Sequence, residues 1–193
     1  MIFRVLIKPF GSIWKLKELC NTEHPTFLTK VYRFLYNAYQ FEHGSAISYK
    51  ASFTEIPNLP YGTKQIIISD DAKIGKNCVI FQQVTIQRDT LPDSPSLGSP
   101  VIGDNCYIFP GAKIIGGIII GDNVRIAPNA TVIQDVPDNS YISNGDQKVI
   151  TMKELNNRYY IFSNNRWIYF NNNISIPVEN KEILEKLQEK FQH

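Results

Sequence analysis

The chain has 193 residues, of which 43% are hydrophobic and 20% are charged, and its formal net charge is +2. This length fits one globular domain with small additions. A charge so near zero gives no field that would draw in nucleic acid or a membrane surface. No apolar run reaches the roughly 18–20 residues of a membrane span, and the start of the chain lacks the cleavage site of a signal peptide. We therefore expect a cytoplasmic protein, and its three cysteines do not make a disulfide framework.

The first zone, residues 1–45, is predicted to be helical. Between residues 25 and 41, apolar side chains recur at the i, i+3 and i+4 spacing of an amphipathic helix, namely Phe27, Leu28, Val31, Phe34, Leu35 and Ala38. Pro25 suits the first turn of this helix, and Gly44 suits the stop after it. A weaker pattern predicts another helix over residues 13–19. We expect this zone to cap one end of the domain that follows.

The second zone, residues 46–150, carries a six-residue repeat. An aliphatic side chain occupies every sixth position in two runs, at Ile68, Ile74, Ile80 and Ile86, then at Ile102, Ile108, Ile114, Ile120, Ile126 and Val132. Gly often follows the aliphatic residue and Asp or Asn comes next, which suits corners with positive φ. A period of six fits neither an α-helix nor a simple hairpin, but it fits a coil with three flat faces and one short strand per face. The pattern predicts a mainly β fold, a single-stranded parallel β-helix.

One interruption of the repeat predicts a surface loop. Ile86 and Ile102 are 16 positions apart instead of six, so ten residues are extruded within residues 87–99, a segment rich in Pro and Ser. Allowing for this loop, Cys78 and Cys106 are one turn apart and should stack in adjacent coils at about 4.8 Å. They are interpreted as small core residues. A redox pair is the alternative, although cytosolic thiols are normally kept reduced.

The third zone, residues 151–193, is predicted to be a hairpin followed by a helix. Two aromatic strands flank a Ser-Asn-Asn turn within residues 158–173. The terminal helix has one apolar stripe, made of Ile183, Leu184, Leu187 and Phe191. This zone contains three aromatic residues, Tyr159, Trp167 and Tyr169. They could stack on a sugar or pack within the protein, and packing is the preferred interpretation.

The stretch from Pro60 to Val136 resembles the serine acetyltransferase-like branch of the hexapeptide-repeat acyltransferases, which includes capsular polysaccharide O-acetyltransferases. The resemblance is carried by residues 66–86, 101–117 and 118–140, including the ending Asp135-Val136-Pro137. It implies a left-handed coil, a homotrimer, and active sites in clefts between adjacent subunits, covered by the extruded loop. It also implies acetyl-CoA as the acetyl donor, and we expect no metal.

The resemblance further implies a histidine general base that takes the proton from the acceptor hydroxyl. Tyr61 stands at the position of this histidine, and Ser99-Pro100 stands where serine acetyltransferases have a second histidine. A free phenol is almost entirely protonated at neutral pH, which makes it a poor base. Gln87 and Phe109 replace family glycines and could narrow the channel for the thioester.

These departures leave three hypotheses for the function. The first is an acetyl-CoA-dependent O-acetyltransferase acting on a sugar hydroxyl of a surface polysaccharide or its precursor, or on serine, with Tyr61 or a histidine from outside the repeats as the base. The second is a homologue that has lost catalysis and serves as a structural or regulatory subunit. The third is a β-helix that takes another acyl donor or a different ligand.

Ligand contacts are assigned by the same resemblance. Gly111, Ala112 and Lys113 keep the family's spacing along the path of acetyl-CoA, and Lys148 matches a family lysine near the nucleotide end. Asp93, in the loop, could hydrogen-bond an acceptor hydroxyl, although a solvated loop residue is the simpler interpretation.

Two further positions have competing interpretations. His43 follows the predicted helix, where it is interpreted as a helix end, with a base directed toward a cleft as the alternative. The pair Asp70-Asp71 is interpreted as part of a corner of the coil.

Overall fold

The computed structural model describes residues 7–22, 24–144, 149–151, 155–171 and 174–191. Its central feature is a set of three short sheets with parallel pairing. Successive strands along the chain pass from one sheet to the next, and each strand pairs with the strand one turn later. This connectivity makes a three-sided coil, as the six-residue repeat predicts.

The strands are short because each face of the coil holds only about one hexapeptide. The first sheet contains Ala46–Ile47, Ile67–Ile68, Thr85–Gln87, Lys113–Ile115 and Thr131–Val132. The second sheet contains Ser52–Phe53, Lys73–Ile74, Val101–Ile102 and Ile119–Ile120. The third sheet contains Val79–Ile80, Tyr107–Ile108, Arg125–Ile126, Ser140–Ile142 and, antiparallel at its edge, Val149–Thr151.

The aliphatic residues of the repeat form the core of the coil. In the first sheet Ile68 pairs with Ile86, and Ile86 pairs with Ile114, while the other two sheets align their isoleucines in the same way. All ten aliphatic positions of the repeat are at most 2% exposed. Burial of a side chain of this size contributes about 1.5–3 kcal/mol, so this column of side chains is the main source of stability.

Corner residues allow the chain to turn between faces by adopting positive φ. Four asparagines with φ of 51–56° form the corner between the second and third sheets, here called the asparagine corner: Asn77, Asn105, Asn123 and Asn139. The corner between the third and first sheets has positive φ at Gln65, Gln83, Gly111 and Asn129. Asn tolerates this conformation because its short polar side chain can hydrogen-bond locally.

Glycines after the aliphatic residues allow adjacent coils to approach closely. A Cβ on Gly103 would lie 2.8 Å from the carbonyl carbon and oxygen of Gly121 in the next coil. Beside it, Asp122 accepts a hydrogen bond from the Asp104 N–H at 2.7 Å, and Asp138 accepts one from the Asp122 N–H at 2.8 Å. The Gly-Asp pairs of the sequence therefore hold successive coils together at one edge.

In the described residues, a short 3-10 helix, Lys8–Phe10, and two α-helices precede the coil: α1 spans Ile13–Cys20 and α2 spans Phe27–Glu42. Both α-helices were predicted, and Thr26 caps the start of α2, because its side chain accepts a hydrogen bond from the Thr29 N–H. None of the helices in the described ranges has the length and apolar character of a membrane span.

Helix α2 does not pack through all of its predicted apolar stripe. Its buried residues are Thr29, Tyr36 and Gln40, and the Tyr36 hydroxyl donates a hydrogen bond to the Ile47 carbonyl at 2.9 Å. Two phenylalanines of the predicted stripe, Phe27 and Phe34, are 79% and 66% exposed. Polar groups of this helix therefore fix it against the first strand of the coil.

The C-terminal zone, here called the C-terminal arm (residues 155–191), contains the predicted hairpin and helix. Strands Tyr160–Ser163 and Arg166–Asn171 pair across a turn of two asparagines with positive φ. A third strand, Ile174–Pro177, pairs with the second and was not predicted. Helix α3 spans Lys181–Phe191.

Candidate functional site

Tyr61 lies in a loop at the cap end of the coil. Asn58 bridges Val79 of the third sheet, and the Gly62 N–H then donates to the Leu59 carbonyl at 2.9 Å, which closes a tight turn around Tyr61. Gly62 has a φ of +69°, a conformation that suits glycine. The Tyr61 side chain is 55% exposed, so its hydroxyl is accessible to a substrate.

An aromatic cluster adjoins Tyr61 on the third sheet. Phe81, at 7% exposure, lies at its centre, with ring centroids 6.1 Å from Tyr61 and 5.9 Å from Phe109. Tyr107 and Tyr159 complete the cluster, with centroids 5.3 and 5.7 Å from Phe81. Burial is the main cause that raises the pKa of Tyr107 to about 12, and burial also raises the pKa of Tyr159. Both phenols therefore remain protonated at neutral pH.

A cavity of about 350 Å³ lies between the helical cap and the loop that carries Tyr61. Its walls include Trp14 of α1, Tyr39 of α2, and Gly62 and Thr63 of the loop. The Thr63 hydroxyl is buried and has no hydrogen-bond partner among the described residues. A buried hydroxyl without a partner costs free energy. Nothing in the sequence pattern identified Thr63.

His43 lies at the end of α2, close to this region. Its Nδ1 is 2.8 Å from the Tyr39 carbonyl, and its ring stacks on Tyr39 with centroids 4.1 Å apart. The His43 carbonyl accepts a hydrogen bond from the Gln65 N–H at 3.1 Å. These contacts favour the structural interpretation, a helix end that joins the cap to the first corner. Lys148 and His193 lie outside the described residues.

The extruded loop leaves the coil where the repeat predicts. Asp89 and Gly98 form an antiparallel bridge at its base, and residues 89–98 are the ten that exceed the repeat. The Asp89 carboxylate accepts hydrogen bonds from the Ser94 and Ser96 hydroxyls and from the Leu91 N–H. The hydrogen bond from Ser94, followed by that from Leu91, lowers the pKa of Asp89. This carboxylate therefore organises the loop.

The loop is docked onto the following coil by two glycines. The Gly117 N–H donates to the Ser96 carbonyl at 2.7 Å, and a Cβ on Gly117 would lie 2.6 Å from the Leu97 carbonyl oxygen. Gly116 approaches Ser96 in the same way. Asp93 lies at the exposed outer part of this loop, so its carboxylate is available to a ligand.

The three residues assigned to the path of acetyl-CoA lie along one corner. Gly111 has a φ of +74° and packs closely against Asn129 of the next coil. Ala112 is fully buried inside the coil, so only its backbone can meet a ligand. The Lys113 side chain is exposed, and its Nζ donates to the Gly111 carbonyl at 3.1 Å. An exposed ammonium at this corner fits a phosphate, whereas the Ala112 side chain does not reach solvent.

Asp70 and Asp71 are corner residues, and Asp70 is the centre of a charged cluster. Asp71 has a φ of 64°. Asp70 accepts a hydrogen bond from the Ser48 hydroxyl and lies 3.5 Å from the Lys50 ammonium and 3.7 Å from the Arg88 guanidinium. The Ser48 hydrogen bond is the main cause that lowers the pKa of Asp70, and the two cations add to it.

Cys78 and Cys106 stack in adjacent coils as predicted, because their neighbours Val79 and Tyr107 pair in the third sheet. Both side chains are fully buried and both thiols are free. The neighbouring Cys78 thiol and burial raise the pKa of Cys106. A protonated, buried thiol is chemically inert, which favours the interpretation as core residues.

One family model and several solved structures match parts of this coil. Residues 99–134 match the family model described as bacterial transferase hexapeptide (six repeats), so this part of the chain is similar to the repeats of these transferases. No curated protein sequence matches the chain.

Solved structures of serine acetyltransferases share the fold. The enzyme from Neisseria gonorrhoeae is 25% identical with a TM-score of 0.57, over 66% of this chain and 49% of its own. The enzyme from Entamoeba histolytica is 27% identical with a TM-score of 0.51, over 62% of this chain and 44% of its own. The enzyme from Brucella abortus, in complex with coenzyme A, is 22% identical with a TM-score of 0.58, over 66% of this chain and 50% of its own. At this identity the likeness shows a shared fold and no more. The chain thus spans about half the length of these enzymes.

Proposed function

We propose that this hexapeptide-repeat chain is an acetyl-CoA-dependent O-acetyltransferase that modifies a sugar hydroxyl of a surface polysaccharide or its precursor, with serine as a less favoured acceptor. The observation that carries the proposal is the coil with its docked loop, in a chain similar to serine acetyltransferases at 25–27% identity. We also propose that the coil is left-handed, and that the protein acts in the cytoplasm as a homotrimer.

The accessible hydroxyl of Tyr61 supports a role in proton transfer. In its ionised form Tyr61 would take the proton of the acceptor hydroxyl while the acceptor oxygen bonds to the thioester carbonyl carbon. The carbon–sulfur bond then breaks, and the tyrosine proton passes to the leaving thiolate. The loop with Asp93 would lie over the acceptor, and the exposed Lys113 ammonium would meet a phosphate of the donor; Lys148 is proposed for the same end of the donor.

One substitution tests the role of Tyr61. The protein is incubated with acetyl-CoA and with chitotriose, maltotriose or L-serine, and release of free thiol is followed over time. If Tyr61 is the base, Tyr61→Phe should lower the rate with the preferred acceptor about 100-fold or more, in line with the usual contribution of a general base. The matched control is Tyr141→Phe, at a half-buried tyrosine of the last coil, and it should retain the wild-type rate. Full activity of Tyr61→Phe would remove this residue from the mechanism.

A second candidate function is a non-catalytic structural or regulatory subunit. It is favoured by the tyrosine at the position of the family histidine and by the aromatic cluster around Phe81, which fills the surface beside it. Calorimetric titration with acetyl-CoA separates the two candidates. Absence of binding would contradict the acetyltransferase, whereas binding without thiol release for any acceptor would favour the non-catalytic homologue.

A further inference from the structure

We propose that the groove between the asparagine corner and the C-terminal arm binds an uncharged oligosaccharide chain and leads it to Tyr61. This inference rests on the proposed function, because it assigns the acceptor and the path by which it enters. The groove has a volume of about 520 Å³, which lies within the usual range of ligand sites.

One wall of the groove is the asparagine corner. Its four side chains, from four successive coils, are half-buried and line the groove. Adjacent coils are separated by about 4.8 Å, so the wall offers an amide group at regular intervals along its length. The side-chain amide nitrogen of Asn123 donates to the side-chain oxygen (Oδ1) of Asn139 at 3.2 Å, which aligns these two amides.

The opposite wall belongs to the C-terminal arm and is fixed to the coil. The Asn157 amide donates to the Asn105 and Val124 carbonyls at 3.0 and 3.3 Å, and its oxygen accepts from the Arg125 guanidinium at 2.9 Å. Arg125 also donates to the Asn156 carbonyl at 2.8 Å. Asn157 is only 8% exposed, so the arm is held by a buried polar contact and the groove is preformed.

The groove continues toward the proposed catalytic loop. Ile56, Asn58 and Phe170 line both the groove and the cavity of about 350 Å³ beside the helical cap. The two spaces therefore lie next to each other, and the loop that carries Tyr61 forms part of the wall of the second. A chain bound along the asparagine corner would reach this loop with one of its ends.

The chemistry of the walls points to a saccharide. An asparagine amide offers two donors and an acceptor, which matches sugar hydroxyls that both donate and accept. Phe170 adds an aromatic ring on which the apolar face of a sugar can stack. Glu55 and Arg158 are the charged residues among the described lining, and their charges balance, so the groove favours an uncharged chain.

A glycan microarray tests this inference directly, with fluorescently labelled protein and no acetyl-CoA. Binding to at least one uncharged oligosaccharide is expected, and the best one is then titrated in a calorimeter. Asn105→Gly and Asn123→Gly together should weaken its binding at least tenfold. Glycine keeps the positive φ of these corners but removes the amides. The matched control is Asn165→Gly, which replaces an asparagine with φ of 58° in the hairpin turn, outside the groove, and should bind normally.

Two results would overturn the inference: no binding to any uncharged glycan, or equal binding by the double variant and the wild type. A second variant, Phe170→Leu, addresses the same groove if the double variant does not fold, as judged by circular dichroism. Titration with acetyl-CoA is run in parallel. Donor binding without glycan binding would reject the groove alone, and glycan binding without donor binding would reject the acetyltransferase alone.

Discussion

Individual side chains on the surface of the coil join its first turns to each other. Asp70 is the clearest case, because Ser48 and Lys50 from the preceding turn and Arg88 from the following one meet at its carboxylate. Each of these contacts is partly exposed, so each contributes little to stability alone. All three contacts depend on the ionised carboxylate of Asp70, so their combined contribution to stability can be measured by changing the pH.

Asp70→Asn should change the pH dependence of stability. The pKa of Asp70 is lowered below its ordinary value of 3.8, so its contribution is fully present above that value and is lost as the pH falls through the lower, folded-state pKa. At pH 6 the variant should melt about 1–3 °C below the wild type, and the difference should shrink as the pH falls below 3.8. Scanning calorimetry across this range measures both values. A difference that stays constant with pH would contradict the assignment.

The position of Tyr61 shows what the sequence could and could not predict about the site. Its side chain is exposed, as a residue in a functional loop should be. The spacing of the aliphatic residues in the repeat predicts that this loop lies at the start of the coil. The cavity beside this loop could not be predicted, because its walls combine Trp14 and Tyr39 from the cap with Thr63 from the loop. Contacts between distant zones leave no periodic pattern in the sequence.

At the scale of single elements, close contact between coils depends on glycine. Gly103 has no positive φ, so its requirement is purely steric: a Cβ would lie 2.8 Å from the backbone of Gly121. The hydrogen bond from the Asp104 N–H to Asp122 lies at the same contact. Any side chain at this position must therefore push the two coils apart.

Gly103→Ala should destabilise the protein by about 1–3 kcal/mol, the usual cost of overpacking. The displaced backbone also weakens the hydrogen bond between the two coils. Urea unfolding followed by circular dichroism gives the change in the free energy of unfolding. Lys73→Ala, at an exposed position in the same sheet, is the control and should change that free energy by less than about 0.5 kcal/mol. Equal stability of Gly103→Ala and the wild type would show that the coils can separate without cost.

Elements differ in how well the sequence predicts them. The strands of the coil follow from the six-residue period, because each interior position must be aliphatic to fill the core. Helix α2 was predicted, but its packed face was not, since Tyr36 and Gln40 bury polar groups against Ile47. The strand Ile174–Pro177 ends in proline, and only its pairing with the hairpin identifies it.

For the whole molecule, the outer face of the second sheet is the surface that best suits assembly. Val101 and Ile119 pair in adjacent coils and are 38% and 59% exposed. Outward apolar side chains stacked in this way form a stripe that a second subunit can cover. The proposed homotrimer would bury this stripe.

Ile119→Glu should prevent assembly without unfolding the subunit, since the side chain is exposed in the single chain. Light scattering after size exclusion should give three chain masses for the wild type and one for the variant. Ile174→Glu, at a 66% exposed position on the C-terminal arm, should remain trimeric. A wild type that elutes as a single chain would contradict the homotrimer, and a trimeric Ile119→Glu would place the interface elsewhere.

The bridge between Asp89 and Gly98 separates the length of the extruded loop from the geometry of the coil. Both ends of the loop leave the coil side by side, so residues can be added or removed between them while every interior isoleucine keeps its place. The entropic cost of a longer loop grows only slowly with length. The segment between Asp89 and Gly98 can thus be replaced by loops of other lengths. Such replacements would change the surface above the coil without any change to its core.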